Sequence, residues 1–217
     1  MSSRKGRIVV FSGTWAMGCL LVWFARANEP AKPKEWDFDQ DKIGEIGRGF
    51  SGESGEWKIV ADETAPSKGQ VLAQLARSEG AAFNLALVKD IKAKQLEVSV
   101  KFKAVAGKED QGGGVVWRAK DAKNYFLCRY NPLEENLRAY KIVDGKRTIL
   151  ESVDIEHTEG WHTLRVTTRD ERITLFLDGE PRSSFLNDSF KDAGMMGLWT
   201  KADAQTHFDD LIFIEYQ

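Results

Sequence analysis

The sequence predicts an all-β chain of two antiparallel sheets packed as a β-sandwich, preceded by one N-terminal apolar helix. Three observations predict it. From residue 36 onward the chain consists of short runs in which apolar and polar residues alternate, the period of a strand with one buried face. Asp144-Gly145 and Asp178-Gly179 each stand between two such runs and carry the signature of a tight hairpin turn. With 19 Gly, 7 Trp and 12 Phe in 217 residues, the composition favours strands and turns over a helical bundle.

The apolar helix is predicted from the first 27 residues. Arg4, Lys5 and Arg7 precede an uncharged stretch from Ile8 to Phe24, and Ala25-Arg26-Ala27 supplies small residues at a signal-peptidase spacing. Positive charge before an apolar stretch keeps that end cytoplasmic, so everything from Asn28 on is expected outside, periplasmic or extracellular. The stretch is long for a signal peptide and short for a spanning helix, so residues 1–27 read equally as a cleaved signal peptide or a retained membrane anchor. If retained, residues 8–24 make the membrane contact.

Residues 28–35 follow as a short Pro/Lys linker, and residues 36–217 form the sandwich. The clearest strand is Gln95 to Ala104, where Leu96, Val98, Val100 and Phe102 alternate with Glu97, Ser99, Lys101 and Lys103. Further strands are expected at 57–61, 71–74, 83–88, 114–118, 125–130 and 136–143, then 161–168, 172–177, 194–201 and 207–215. The formal net charge is −2. Residues 1–27 hold four of the 31 basic residues, so without them 27 basic face 33 acidic residues, which argues against nucleic acid as a partner. Cys128 alternates with Phe126 and Tyr130 and is expected to be buried.

Gly160 to Val166 (GWHTLRV), Leu175 to Gly179 (LFLDG) and Gly194 to Trp199 (GMMGLW) resemble the closing strands of concanavalin A-like lectin/glucanase jelly rolls, the superfamily that includes laminin-G-like domains. Asp37 to Asp39, Trp57 to Pro66 (WKIVADETAP), Gly114 to Arg118 (GVVWR), Asn124 to Phe126, Asn131 to Glu134 (NPLE) and Thr200 to Asp203 (TKAD) are similar to the bacterial 3-keto-disaccharide hydrolase domain. The resemblance spans about residues 36–216. It implies a jelly-roll sandwich, and with it either sugar binding or hydrolysis of 3-keto-glycosides.

Alternation lets the sheet face that would hold a ligand be guessed. Arg118, Arg129, Asn131, Tyr140, Trp199 and Lys201 are expected to share a face, offering aromatic stacking area and fixed donors for sugar hydroxyls or a protein partner. Long side chains on a solvated sheet would give the same pattern. No strand carries the paired carboxylates of a retaining glycanase; Asp154 and Glu156 have the spacing but read as a turn. A 3-keto-sugar could instead be opened by proton removal and elimination, with Asp110, Glu134 and Arg129 as candidates for base and enolate stabiliser. His162, in phase with Leu164 and Val166, reads as a core histidine. Asp209 and Asp210 are the candidate calcium ligands, and no other cofactor is implied. Gly112-Gly113-Gly114 precedes a strand and so is no phosphate cradle.

The sequence thus reads as an exported binding or accessory module on the periplasmic side, tethered to the membrane. Its expected partner is a carbohydrate or a larger membrane protein complex of which it is a subunit; the alternative is a 3-keto-glycoside hydrolase. The intact mass of the natively expressed protein decides the anchor. A mass of Met1 to Gln217 in the membrane fraction reports a retained helix, and one starting near Asn28 in the soluble fraction reports a cut signal peptide.

Overall fold

The computed structural model describes residues 31–216, so the N-terminal helix, the signal or anchor segment and the start of the linker lie outside the described residues. The described chain is all strand, turn and loop. Its first strands are β1 (Lys34–Trp36), β2 (Phe50–Ser54), β3 (Trp57–Ala61), β4 (Gln70–Gln74) and β5 (Phe83–Val88). Then follow β6 (Gln95–Ala106), β7 (Gly113–Asp121), β8 (Asn124–Asn131), β9 (Asn136–Val143) and β10 (Lys146–Asp154). The chain ends in β11 (Trp161–Arg169), β12 (Arg172–Leu177), β13 (Glu180–Leu186), β14 (Met195–Lys201) and β15 (Gln205–Tyr216).

These pair into two antiparallel sheets. The first runs β13-β12-β11-β6-β15-β4-β3 with β1 also on β15, and the second runs β10-β9-β8-β7-β14-β5-β2. The Asp-Gly turns are where the sequence puts them. Asp144 and Gly145 join β9 to β10, Asp178 and Gly179 join β12 to β13, and all four have positive φ, as tight two-residue hairpins require. Asp154 lies at the end of β10 rather than in a turn, and Glu156 follows it.

Between the sheets lies one apolar layer. Val98, Val100 and Phe102 of β6 and Leu164 and Val166 of β11 meet Trp117 of β7 and Phe126, Cys128 and Tyr130 of β8. Cys128 is buried and unpaired, and burial pushes its thiol pKa far up, so it is an inert packing residue. His162 is buried among the rings of Phe102 and Tyr130, with Nδ1 2.9 Å from the Asp178 carboxylate and Nε2 3.3 Å from the Thr158 carbonyl.

The two sheets differ on their outer sides. The first alternates strictly, β11 reading half-buried then buried along its length, with Arg165–Glu97 and Lys101–Asp210 ion pairs on the half-buried positions. In the second, the inner strands β5, β7, β8, β9 and β14 are largely buried on both faces, while the edge strands β2 and β10 are exposed. Leu85, Leu87, Val116, Tyr125, Leu127, Tyr140, Ile142 and Trp199 form a second apolar cluster on the face turned away from the core.

One end of the sandwich is closed by Arg118. A bulge in β7 after Trp117 puts Arg118 at φ 47° and breaks the alternation there. The side chain, 2% exposed, therefore runs to the other sheet rather than to the outer face. Its nitrogens donate to the carbonyls of Lys94 (2.8 Å), Phe190 (2.9 Å) and Asp170 (2.7 Å) and to the Thr168 hydroxyl (3.0 Å). Replacing Arg118 with Met leaves those acceptors without donors. The variant is expected to lose about 3 kcal/mol in urea unfolding.

Candidate functional site

Six of the residues singled out in the sequence meet at one end of the second sheet. Arg129 on β8 is their hub. Its Nη1 donates to the Asn136 carbonyl (2.9 Å) and Oδ1 (2.5 Å), and its Nη2 to Glu134 (2.7 Å) and to the Tyr140 hydroxyl (3.2 Å). Glu134 also receives Arg138 at 3.2 Å. Burial would raise the pKa of Glu134, but the charges of Arg129 and Arg138 outweigh it and hold the carboxyl below its ordinary value.

Asn131 ties the second half of the cluster to the first. Its amide donates to Asp110 Oδ1 at 3.1 Å, and its Oδ1 accepts the backbone N–H groups of Leu133 and Glu134. Asp110 is 1% exposed, also accepts the Gly112 N–H at 2.7 Å, and lies 3.6 Å from the Lys201 ammonium. Burial raises its pKa against the opposing pull of that N–H and of Arg129 and Lys201. The loop before it is held by Asp203, whose carboxylate accepts the backbone N–H groups of Lys108, Glu109 and Asp110.

Beside this polar cluster the strand register lays out an aromatic floor. Trp199 of β14 pairs with Gly114 of β7, which pairs with Arg129 of β8, which pairs with Arg138 of β9. Only glycine fits at 114, because a Cβ there would stand 2.6 Å from the Cys128 carbonyl oxygen. Trp199 and Arg129 are thus two strand spacings apart, about 9.5 Å, with no side chain between them. Tyr125 and Leu127 continue the floor along β8, Phe83 packs on Trp199 with ring centroids 5.4 Å apart, and Arg147 of β10 lies over Tyr140 at 4.5 Å and Phe83 at 5.8 Å.

Trp199 Nε1 lies against Tyr125 Oη, and Arg129 Nε is buried with no hydrogen-bond partner among the described residues. Burial pushes the Tyr125 phenol up to about 12, against the opposing pull of the Trp199 hydrogen bond and the Arg147 charge, so it stays protonated.

The remaining candidates lie elsewhere. Arg118 is part of the opposite end, beside a cleft of about 520 Å³ lined also by Lys94, Arg169, Arg172 and Lys191, and every one of its guanidinium nitrogens is already bonded. Asp209 and Asp210 sit on the first sheet, at a bulge in β15. Asp209 accepts the N–H and hydroxyl of Ser67, and Asp210 pairs with Lys101 at 2.8 Å, so the two carboxylates are engaged with different partners. Among the described residues no group of three or more His, Cys, Asp or Glu side chains is arranged to hold a metal ion.

A charged cluster unforeseen in the sequence stands on the outer side of the first sheet. Asp62 accepts from Lys103 (2.5 Å) and from His207 Nδ1 (2.7 Å), while Thr64 accepts from the Trp161 indole (3.1 Å). Its members come from the turn after β3 and from β6, β11 and β15, so no local spacing announces it.

No protein-family model matches the sequence, and no curated protein matches it. Solved structures do match the fold. The carbohydrate binding module CBM66 from Bacillus subtilis superposes with a TM-score of 0.63 at 18% identity, over 75% of this chain and 93% of that one. A protein of unknown function with a galectin-like fold, also from Bacillus subtilis, gives 0.63 at 9% identity over 88% and 99%. The carbohydrate recognition domain of Emp47p gives 0.57 at 14% identity over 82% and 93%. The chain shares the two-sheet antiparallel β-sandwich of these structures, and at these identities the likeness speaks of fold alone.

Asp62 sets an acid limit on stability. Burial alone would raise its pKa, but the hydrogen bonds from Lys103, His207 and Thr64 outweigh it and hold the group well below the carboxylate range. A depressed acid stabilises the folded state above its unfolded pKa, and that contribution disappears as pH falls. His207, whose pKa burial lowers, acts in the same direction. The wild type is therefore expected to lose stability steeply below about pH 4. Asp62→Asn is expected to cost about 1–2 kcal/mol at neutral pH and to flatten that acid limb in pH-dependent urea unfolding.

Proposed function

We propose that this domain is a carbohydrate-binding module, exported and held at the outer face of the membrane as an accessory unit, with its ligand site on the outer face of the second sheet. One observation carries the reading. Trp199 and Arg129 stand on one face on either side of Gly114, with Tyr125 and Phe83 continuing the aromatic floor beside the fixed polar cluster. Aromatic faces take the apolar face of a pyranose ring, and fixed donors beside them take its oxygens. The rigid Arg129–Glu134–Asn131–Asp110–Lys201 cluster then supplies orientation at the rim. Carbohydrate-binding domains among the structural neighbours agree with this use of the fold. Arg147, an exposed residue, lies over the Tyr140 and Phe83 rings at the edge of this face.

A second reading rests on Asp110, and it is hydrolysis of a 3-keto-glycoside. A buried carboxylate whose pKa burial has raised is a usable general base, and Lys201 and Arg129 nearby could stabilise an enolate. Turnover of a 3-keto-disaccharide that disappears in Asp110→Asn is its test. No turnover by the wild type removes it.

The binding reading has a signature that separates site from scaffold. Tyr125→Phe leaves the Trp199 indole without its acceptor, so it is expected to lower stability by about 1–2 kcal/mol in urea unfolding without unfolding the domain. The same change, and Trp199→Phe, are expected to weaken oligosaccharide binding about five- to tenfold in isothermal titration calorimetry. Failure of the wild type to bind any of a panel of neutral, uronic and sulfated oligosaccharides overturns the reading.

A further inference from the structure

We infer that the outer face of the second sheet is the docking surface for the chain's own apolar segment, residues 8–24, whenever that segment is not in a membrane. The inference goes beyond the carbohydrate reading and stands without it. Burial is the reason. Leu87, Val116, Tyr125, Leu127, Tyr140 and Trp199 point away from the core, yet they are 0–3% exposed in a single copy of the chain. Among the described residues, every member of this cluster belongs to β5, β7, β8, β9 or β14, and so do the Phe83 and Met195 side chains packed on it.

One layer of strands does not close over its own outward side chains. A sheet hides an apolar face by packing another element on it. Arg147 covers Tyr140 and Phe83 from the β10 edge, which leaves the middle of the face to something else. A single copy supplies that second layer from outside residues 31–216, and residues 1–30 are the one stretch long enough.

Composition, length and point of entry agree. Ile8 to Phe24 carries no charged residue and offers Phe11, Trp15, Leu20, Leu21 and Phe24 as packing groups. As the helix the sequence predicts, these 17 residues reach about 25 Å. The strands from β9 to β5 span four spacings, about 19 Å. Ala31, where the described chain begins, donates its N–H to the Glu215 carbonyl, and Glu215 pairs with Leu96 at the start of β6. Just before β6, Ala93 bridges to Gly194, the neighbour of Met195. The segment thus enters at the end of the sandwich where the outer cluster begins. Seven residue steps from Ala31 back to Phe24 reach up to about 25 Å, against about 10 Å between the sheets.

A bilayer competes for the same segment, since its length is close to that of a spanning helix. In water, segment and face remove each other's apolar surface from solvent. In a membrane the segment leaves, and the aromatic floor of Trp199, Tyr125 and Phe83 is bared. Membrane insertion and access to the floor are therefore coupled.

Photo-cross-linking of the full chain tests this, with Phe83→p-benzoylphenylalanine and Met195→p-benzoylphenylalanine as two separate probes at opposite ends of the cluster. In lipid-free buffer at least one probe is expected to cross-link within one copy to a peptide from residues 8–24. In vesicles of phosphatidylcholine and phosphatidylglycerol that cross-link is expected to be lost. Cross-links between copies, or none to residues 8–24 in lipid-free buffer, overturn the docking surface, whatever the calorimetry shows for sugars. A cross-link that persists in vesicles overturns the coupling to the membrane. If the cross-link behaves as expected and the vesicle-bound chain binds none of the neutral, uronic or sulfated oligosaccharides, the docking surface stands and the carbohydrate reading falls.

Discussion

The Phe102 ring stands where β6 of one sheet meets β7 of the other, and the spacing of the sandwich depends on that contact. Its neighbours are the rings of Tyr130, His162 and Phe208, each with centroids 6.0–6.4 Å away. Beneath it lies Gly113, where a Cβ would come within 2.4 Å of the ring. Interiors pack as densely as crystals, so this approach admits no side chain at 113 and fixes the start of β7 against the first sheet. Gly114 follows on the same strand and faces outward. The geometry of the ligand face is therefore inherited from the core: Phe102 places β7, β7 places Gly114, and Gly114 sets Trp199 and Arg129 apart.

The two outer faces then divide the work. On the first sheet, charged side chains alternate with buried ones and pair with each other, which suits a surface that stays in water. On the second, apolar side chains point outward as well as inward, and the polar groups are gathered at one end. A sheet with two apolar faces is normally found covered on both sides. That asymmetry is the main difference between the two sides of the sandwich.

Much of this was legible in the sequence, for a definite reason. Strands β3, β5, β9 and β12 coincide with their expected bounds, because an uninterrupted period of two is visible locally. The same period put Arg129, Asn131, Tyr140, Trp199 and Lys201 on one side of the sheet. It failed at Arg118, because a bulge turns one residue to positive φ and cancels the parity beyond it. It also missed β10, whose alternation is broken between Ile149 and Glu151, and β13, an edge strand that opens with Pro181 after Glu180. Arg147, lying on β10, was lost with its strand. The Asp62 cluster was invisible for another reason: its residues are neighbours only across strands far apart in the chain.

β15 has a property that reaches beyond the site. Its first half pairs with β4 through Thr206 to Phe208, and after the bulge at Asp209 and Asp210 its second half pairs with β1 through Leu211 to Phe213. The opening strand of the domain is thus stitched to its closing strand, and the middle of that first sheet is empty until the last dozen residues arrive. A chain made N-terminus first cannot complete this sheet before β15 has emerged. Folding of the sheet is therefore late and all at once, and loss of β15 alone removes the seam that joins β1, β4 and β6.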